Sequence, residues 1–60
     1  MNDELLRQKI REYLVEEERT IAWLARKCEI TRSHLSMFLG EQRGMSQEKK
    51  DRLLEFIQNN

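Results

Sequence analysis

The sequence has no proline, two glycines and one cysteine among 60 residues. Proline and glycine are the residues that most often form turns and loops, so their scarcity favours short helices joined by brief connections. The lone Cys28 cannot form an intramolecular disulfide, and we expect a reducing compartment. One cysteine and one histidine cannot complete a four-ligand zinc site without carboxylates or a second chain. We therefore predict no metal and no cofactor.

Long hydrophobic runs are absent as well. The longest uninterrupted apolar run is four residues, Ile21 to Leu24, whereas a membrane-spanning helix needs about 20. The first residues include Asp3 and Glu4 and lack the apolar stretch of a signal peptide. The sequence therefore predicts no membrane partner and a cytosolic or nuclear location.

Neither sign of charge dominates, since Lys and Arg total 11 and Asp and Glu total 11. The charges are nevertheless uneven: residues 1–18 hold six acids and three bases, net −3, whereas residues 19–44 hold five bases and two acids, net +3. Residues 45–60 balance at three each. Because steering depends on the local field, the middle segment forms a modest cationic surface, with an ordinary solvated face as the alternative.

The sequence does have apolar residues at helical spacing, which predicts an all-α fold. The expected architecture is a single domain, 1–60, forming a compact bundle of four short helices near residues 2–17, 20–28, 31–39 and 46–58. Each helix is expected to begin at a capping side chain, in chain order Asn2, Thr20, Thr31 and Ser46. We expect Gly40 to stop the third helix, and the acidic run 16–18 to fray because the helix dipole disfavours anions there.

The most informative stretch runs from Ile21 to Phe38. Two short helices flank a turn of about three residues, and the small Ala25 lies where the helices would cross closely. Leu35 and Phe38 would turn the second helix towards the core and leave its other face free. This spacing is typical of a helix-turn-helix.

Over roughly residues 4 to 57 the chain resembles the lambda-repressor-like (Cro/repressor type, XRE-like) helix-turn-helix family. The run 33–36, followed by Phe38 and Leu39, is similar to atypical POU-specific domains of animal transcription factors. Two positions depart from the pattern. Glu29 occupies the turn position that is usually glycine, where a side chain costs about 1 kcal/mol. Ile21 stands where the family often has a phosphate-contacting glutamine.

The resemblance implies that the second helix of the motif enters the major groove of double-stranded DNA. The base-reading residues that it implies are Arg32, Ser33, Met37, His34 and Ser36. Arg32 suits a bidentate contact with guanine, with a surface or phosphate-contacting role as the alternative. Met37 either touches a thymine methyl group or fills a gap. His34 either reaches the DNA or bonds locally within the fold, and we favour the local role.

Phosphate contacts are expected on both sides of the reading helix. Helix starts offer backbone N–H groups to an anion, and the family commonly touches the DNA backbone from the loop that follows the reading helix. The residues expected at phosphates are Thr20, Thr31, Gln42, Arg43, Arg19 and Lys49. Neutralised phosphates would make binding strongly salt-dependent.

Trp23 lies off the apolar stripe of its helix, which leaves two interpretations. It either packs over the ends of helix 1 or helix 4, or it anchors a partner surface together with Val15, Leu54 and Ile57. A homodimer would bring two reading helices to successive major grooves about 34 Å apart. The expected partners are therefore DNA and either a second copy or a larger regulatory protein.

The sequence thus predicts sequence-specific DNA binding by a small transcriptional regulator such as a repressor, located in the cytoplasm at the nucleoid or, in a eukaryote, in the nucleus. The alternative is a protein-interaction module, an antirepressor or assembly adaptor, which net zero charge and the acidic first segment favour. We predict no enzymatic activity and no small-molecule substrate, because no catalytic triad, phosphate loop or metal spacing is present. Cys28 is expected to be a core residue rather than a nucleophile.

Overall fold

The computed structural model describes residues 2–59, which form four α-helices and no strand. The helices are α1 (Asp3–Glu16), α2 (Ile21–Lys27), α3 (Arg32–Leu39) and α4 (Gln47–Gln58). The predicted all-α bundle is confirmed, with each helix end within one residue of its expected position. Residues 1 and 60, the ends of the predicted domain, lie outside the described residues. Within residues 2–59 no helix combines the length and hydropathy needed to cross a bilayer.

All four predicted N-caps are confirmed. In each helix the side-chain oxygen of the cap accepts a hydrogen bond from the backbone N–H three residues on, at distances between 2.7 and 3.4 Å. The capping residues are Asn2, Thr20, Thr31 and Ser46. Each bond satisfies one of the donors that a helix start leaves unpaired.

The first three helices end alike, with a glutamate in the left-handed conformation just after the C-cap. The φ angle is 54° at Glu18, 59° at Glu29 and 60° at Glu41. In each case the next N–H bonds a carbonyl five residues earlier, at 2.8 to 2.9 Å. This is the capping pattern in which glycine is most common, so each glutamate is strained.

This pattern confirms the expected positive φ at Glu29 and corrects one other expectation. α1 does not end in a frayed acidic run, because the turn after Glu16 is closed by backbone hydrogen bonds from Glu17, Glu18 and Arg19. The expected stop of α3 at Gly40 is confirmed, since Gly40 is its C-cap, with a φ of −86°. The left-handed residue is the next one, Glu41.

The core lies where the inward faces of all four helices meet. α2 packs on α3, and α1 packs on α4. The fully or nearly buried apolar residues are Leu6, Ile10, Leu24, Ala25, Cys28, Ile30, Leu35, Phe38, Leu39 and Leu53. The expected core role of Cys28 is confirmed, and burial raises the pKa of its thiol.

Several apolar residues of α1, α2 and α4 only border the core. They are half-buried rather than buried and pack against the core residues: Tyr13, Leu14, Ile21, Phe56 and Ile57. In α4 this leaves Leu53 as the one fully enclosed side chain.

Candidate nucleic-acid interface

α3 presents opposite faces to the core and to solvent. Leu35 and Phe38 are 0% exposed, whereas Arg32, Ser33, Ser36 and Met37 are exposed. Residues spaced by one, four and five positions share one side of a helix. We call these four residues the α3 outer face. Four of the five predicted base readers therefore lie together on one accessible surface.

His34, the fifth predicted base reader, does not lie on this surface. Its side chain is 7% exposed, and its Nε2 lies 3.0 Å from the carbonyl oxygen of Gly44. Because a carbonyl only accepts, Nε2 carries the proton and donates it. The local role that we favoured is therefore the observed one, because the ring is directed at the loop after α3.

A shallow depression connects the start of α2 to the α3 outer face, and its lining includes Thr20, Ala22 and Ser36. The hydroxyl oxygen of Thr20 accepts a bond from the N–H of Trp23 at 3.1 Å. Thr31 caps α3 in the same way. Since a hydroxyl can donate as well as accept, Thr20 retains a donor for an anion in this depression, and Thr31 retains one at the start of α3.

The loop between α3 and α4 carries two further predicted phosphate contacts, Gln42 and Arg43, both exposed. The side chain of Arg43 makes no hydrogen bond or ion pair within residues 2–59. Lys49 is half-buried in the first turn of α4. Arg43 is thus the cation of this loop with the freedom to bind an external anion.

Arg19 is already engaged within the fold. Its guanidinium lies 4.5 Å from the centre of the Trp23 ring, and the Lys27 ammonium lies 5.7 Å away. Cations are attracted to an aromatic ring in this range. The structure therefore gives Arg19 a packing partner that competes with its predicted phosphate contact.

Trp23 packs over α4, one of the two roles expected for it. Its ring meets that of Phe56 edge-on, with centroids 5.8 Å apart. Of the other residues predicted at a partner surface, Leu54 and Ile57 are half-buried against the core, whereas Val15 is 77% exposed. Val15 is therefore the predicted partner residue that remains most available.

Three arginines donate hydrogen bonds to carbonyls at the ends of α2 and α3. None of them was assigned to a site from the sequence. Arg7 donates from Nε to the Phe38 carbonyl at 2.6 Å, and its guanidinium lies 4.5 Å above the Phe38 ring. Arg11 donates to the carbonyl of Leu39. Both carbonyls lie at the negative end of the α3 dipole, and that of Phe38 also accepts from the N–H of Glu41 at 3.1 Å. α3 has no basic residue in its own last turn.

Arg52 of α4 bonds the end of α2 in the same way. It donates from Nη1 to the Cys28 carbonyl at 2.8 Å and pairs through Nη2 with Glu48 at 3.1 Å. The spacing of Arg7 and Arg11, four residues apart beside the apolar stripe of α1, was the one signal in the sequence that these arginines share a face. Their acceptors depend on how the helices pack.

A single ion pair joins the starts of α1 and α4. Lys50 donates to Asp3 at 2.8 Å, and this hydrogen bond lowers the pKa of the Asp3 carboxyl. Within residues 2–59 no three histidine, cysteine, aspartate or glutamate side chains are grouped so as to hold a metal ion.

No family model, curated protein or solved structure matches the chain.

Proposed function

We propose that the chain is a sequence-specific DNA-binding domain of a small transcriptional regulator of the lambda-repressor-like helix-turn-helix kind. The observation that carries this proposal is the α3 outer face, four exposed side chains opposite the fully buried Leu35 and Phe38. The major groove of B-DNA is about 12 Å wide and admits an α-helix. We propose that α3 enters it with this face towards the bases.

The charge distribution supports the same orientation. The segment with net +3, residues 19–44, contains α2, α3 and most of the following loop, whereas the segment with net −3, residues 1–18, contains α1. A duplex approaching the motif would therefore meet mainly its cationic part. Net zero charge overall predicts weak non-specific binding, so that base contacts must supply much of the affinity.

Each residue of the interface has a proposed role. Arg32 reads guanine through two parallel hydrogen bonds, and Met37 touches a thymine methyl group. Ser33 and Ser36 orient the helix. The backbone phosphates would be bound mainly by Thr20, Thr31, Gln42 and Arg43, with Arg19 and Lys49 as weaker contacts.

The test is a selection from random duplex DNA at low salt, followed by binding measurements on the selected site. Arg32→Ala should cost about 1–3 kcal/mol and relax preference at one base position. Arg26→Ala is the matched control, since Arg26 is equally charged, exposed and outside the proposed interface. A selection that yields no preferred sequence, or an Arg32→Ala variant with unchanged preference, would contradict the proposal.

A homodimer would suit this function, because two copies on a palindromic site place their reading helices about 34 Å apart. Sedimentation with and without the selected duplex measures this directly. We expect two copies on each bound site, and a single copy on a non-repeated site would show that the domain acts alone or within a larger protein.

The second candidate function is a protein-interaction module without DNA binding, such as an antirepressor or assembly adaptor. It is favoured by Val15, which is 77% exposed. This residue lies on the acidic α1, beside Glu12 and Glu16. Val15→Ser should leave DNA selection intact under the first proposal, and should remove the only measurable association under the second. We propose no enzymatic activity under either.

A further inference from the structure

The loop that carries Arg43 is attached at both of its ends. At one end the N–H of Gln42 donates to the Met37 carbonyl at 2.8 Å. At the other end Met45 is half-buried and packs against the core. Among residues 2–59 the ring of His34 makes the one hydrogen bond that reaches the segment 43–45, at the Gly44 carbonyl.

The position of His34 makes this bond a link between two proposed contact surfaces. His34 belongs to α3, next to Ser33 of the outer face and Leu35 of the core. Its ring is 7% exposed, so little water competes for the bond. Because Nε2 donates to a carbonyl 3.0 Å away, the bond fixes the Gly44–Met45 peptide, one residue beyond Arg43.

We propose that His34 is a positioning residue for DNA binding. It holds the Arg43 loop against α3, so that Arg43 meets a phosphate while Arg32 meets a base. This inference rests on the proposed function. A loop already held in its bound position does not have to lose its conformational freedom on binding, whereas a loosened loop would weaken the contact of Arg43 alone.

The matched variants are His34→Gln and His34→Asn. Both replace the ring by a neutral amide that can donate. The glutamine amide reaches about as far as Nε2, whereas the asparagine amide is one methylene shorter and falls short of Gly44. The pair therefore compares a retained bond with a broken one at nearly constant side-chain chemistry.

The free protein provides the first readout, backbone ¹⁵N relaxation. We expect His34→Asn to lower the amide order parameters of Arg43 and Gly44 from the rigid range, about 0.85, to below about 0.6. His34→Gln should keep them near their original values. Helix amides should not change in either variant, which also shows that both variants fold.

DNA binding provides the second readout. His34→Asn should weaken binding to every duplex about fivefold and reduce the salt slope by about 0.9, the value of one phosphate contact. It should leave the base preference set by Arg32 unchanged, and His34→Gln should bind almost as the parent does. In an Arg43→Ala background, His34→Asn should cause no further loss, because the two residues act as one unit.

Three results would overturn the inference while leaving the proposed function in place. These are unchanged order parameters in His34→Asn, a loss of affinity that adds fully to that of Arg43→Ala, and a changed base preference. Failure of the proposed function is distinguishable, because the parent protein would then select no duplex at all. In that case the role of His34 in DNA binding falls with it.

Discussion

The two helix pairs of this molecule differ in what holds them together. α1 and α4 have 14 and 12 residues, pack on each other and are joined at their starts by the Lys50–Asp3 pair. α2 and α3 have only 7 and 8 residues. Isolated helices shorter than about 12–15 residues are marginal in water, so the short pair depends on contacts with the rest of the chain.

Beside the shared apolar core, part of that support comes from cations of the long pair. Arg7 and Arg11 of α1 bond the last carbonyls of α3, and Arg52 of α4 bonds the carbonyl after α2. The α3 outer face takes no part in this support. The comparison teaches that stability and proposed recognition reside in different residues of the same short helices, so that substitutions can separate them.

The largest expected loss of stability follows from truncating a buried side chain of α3. Phe38→Ala should destabilise the domain by about 3–5 kcal/mol and Leu35→Ala by about 2–5 kcal/mol, because both side chains are 0% exposed. A domain of this size has little stability in reserve, so most molecules should unfold. Urea denaturation followed by circular dichroism measures this. Met37→Ala on the outer face is the control, and an equal loss there would refute the division of α3 into two sides.

A smaller loss of unfolding free energy should follow from removing an arginine of α1 that bonds the end of α3. Arg7→Ala should cost about 1.5–3 kcal/mol, the range for a hydrogen bond from a charged group, and it also removes the contact with the Phe38 ring. Arg26→Ala, on exposed α2 surface, should change the unfolding free energy by less than about 0.5 kcal/mol. Equal midpoints for the two variants in urea would show that the bond to α3 contributes nothing.

The left-handed glutamates should allow the domain to be stabilised. Glu29→Gly should raise the unfolding free energy by up to about 1 kcal/mol, because φ is 59° there and glycine adopts that conformation without strain. Glu29→Gln keeps the strain but removes a negative charge from the end of α2. Thermal unfolding compares them, and a gain in the glutamine variant as large as in the glycine variant would assign the effect to charge.

The smallest expected effect is on the pH dependence of stability, through the ion pair that joins α1 and α4. Lys50 lowers the pKa of Asp3 in the folded protein, so the stabilisation is present above the ordinary aspartate pKa and is lost as pH falls through the lowered one. Asp3→Asn should therefore unfold more easily than the parent at neutral pH and equally easily in strong acid. Glu4→Gln serves as the control. Parallel stability profiles for the parent and Asp3→Asn would contradict the role of this pair.

Local chemistry explains which parts of the fold were predictable. The four N-caps follow from residues close in sequence, the positive φ of Glu29 follows from the resemblance to the helix-turn-helix family, and the structure confirms both. The division of α3 into buried and exposed faces follows from helical spacing. Glu41 was missed because Gly40, one position earlier, is the residue that usually adopts the left-handed conformation.

The remaining features depend on contacts between distant parts of the chain. The acceptors of Arg7 and Arg11 lie 31 and 28 residues away, and that of Arg52 lies 24 residues away. No helical period indicates such partners. His34 was assigned to two roles from sequence, and only the position of Gly44 in space distinguishes them.

DNA binding through the α3 outer face is tested most directly by titrating ¹⁵N-labelled protein with the duplex obtained by selection and following the amide chemical shifts. We expect the largest shifts at Arg32, Ser33, Ser36 and Met37, with smaller ones at the start of α2 and in the loop around Arg43. Shifts confined to α1 and α4, with the α3 outer face unchanged at saturation, would contradict it.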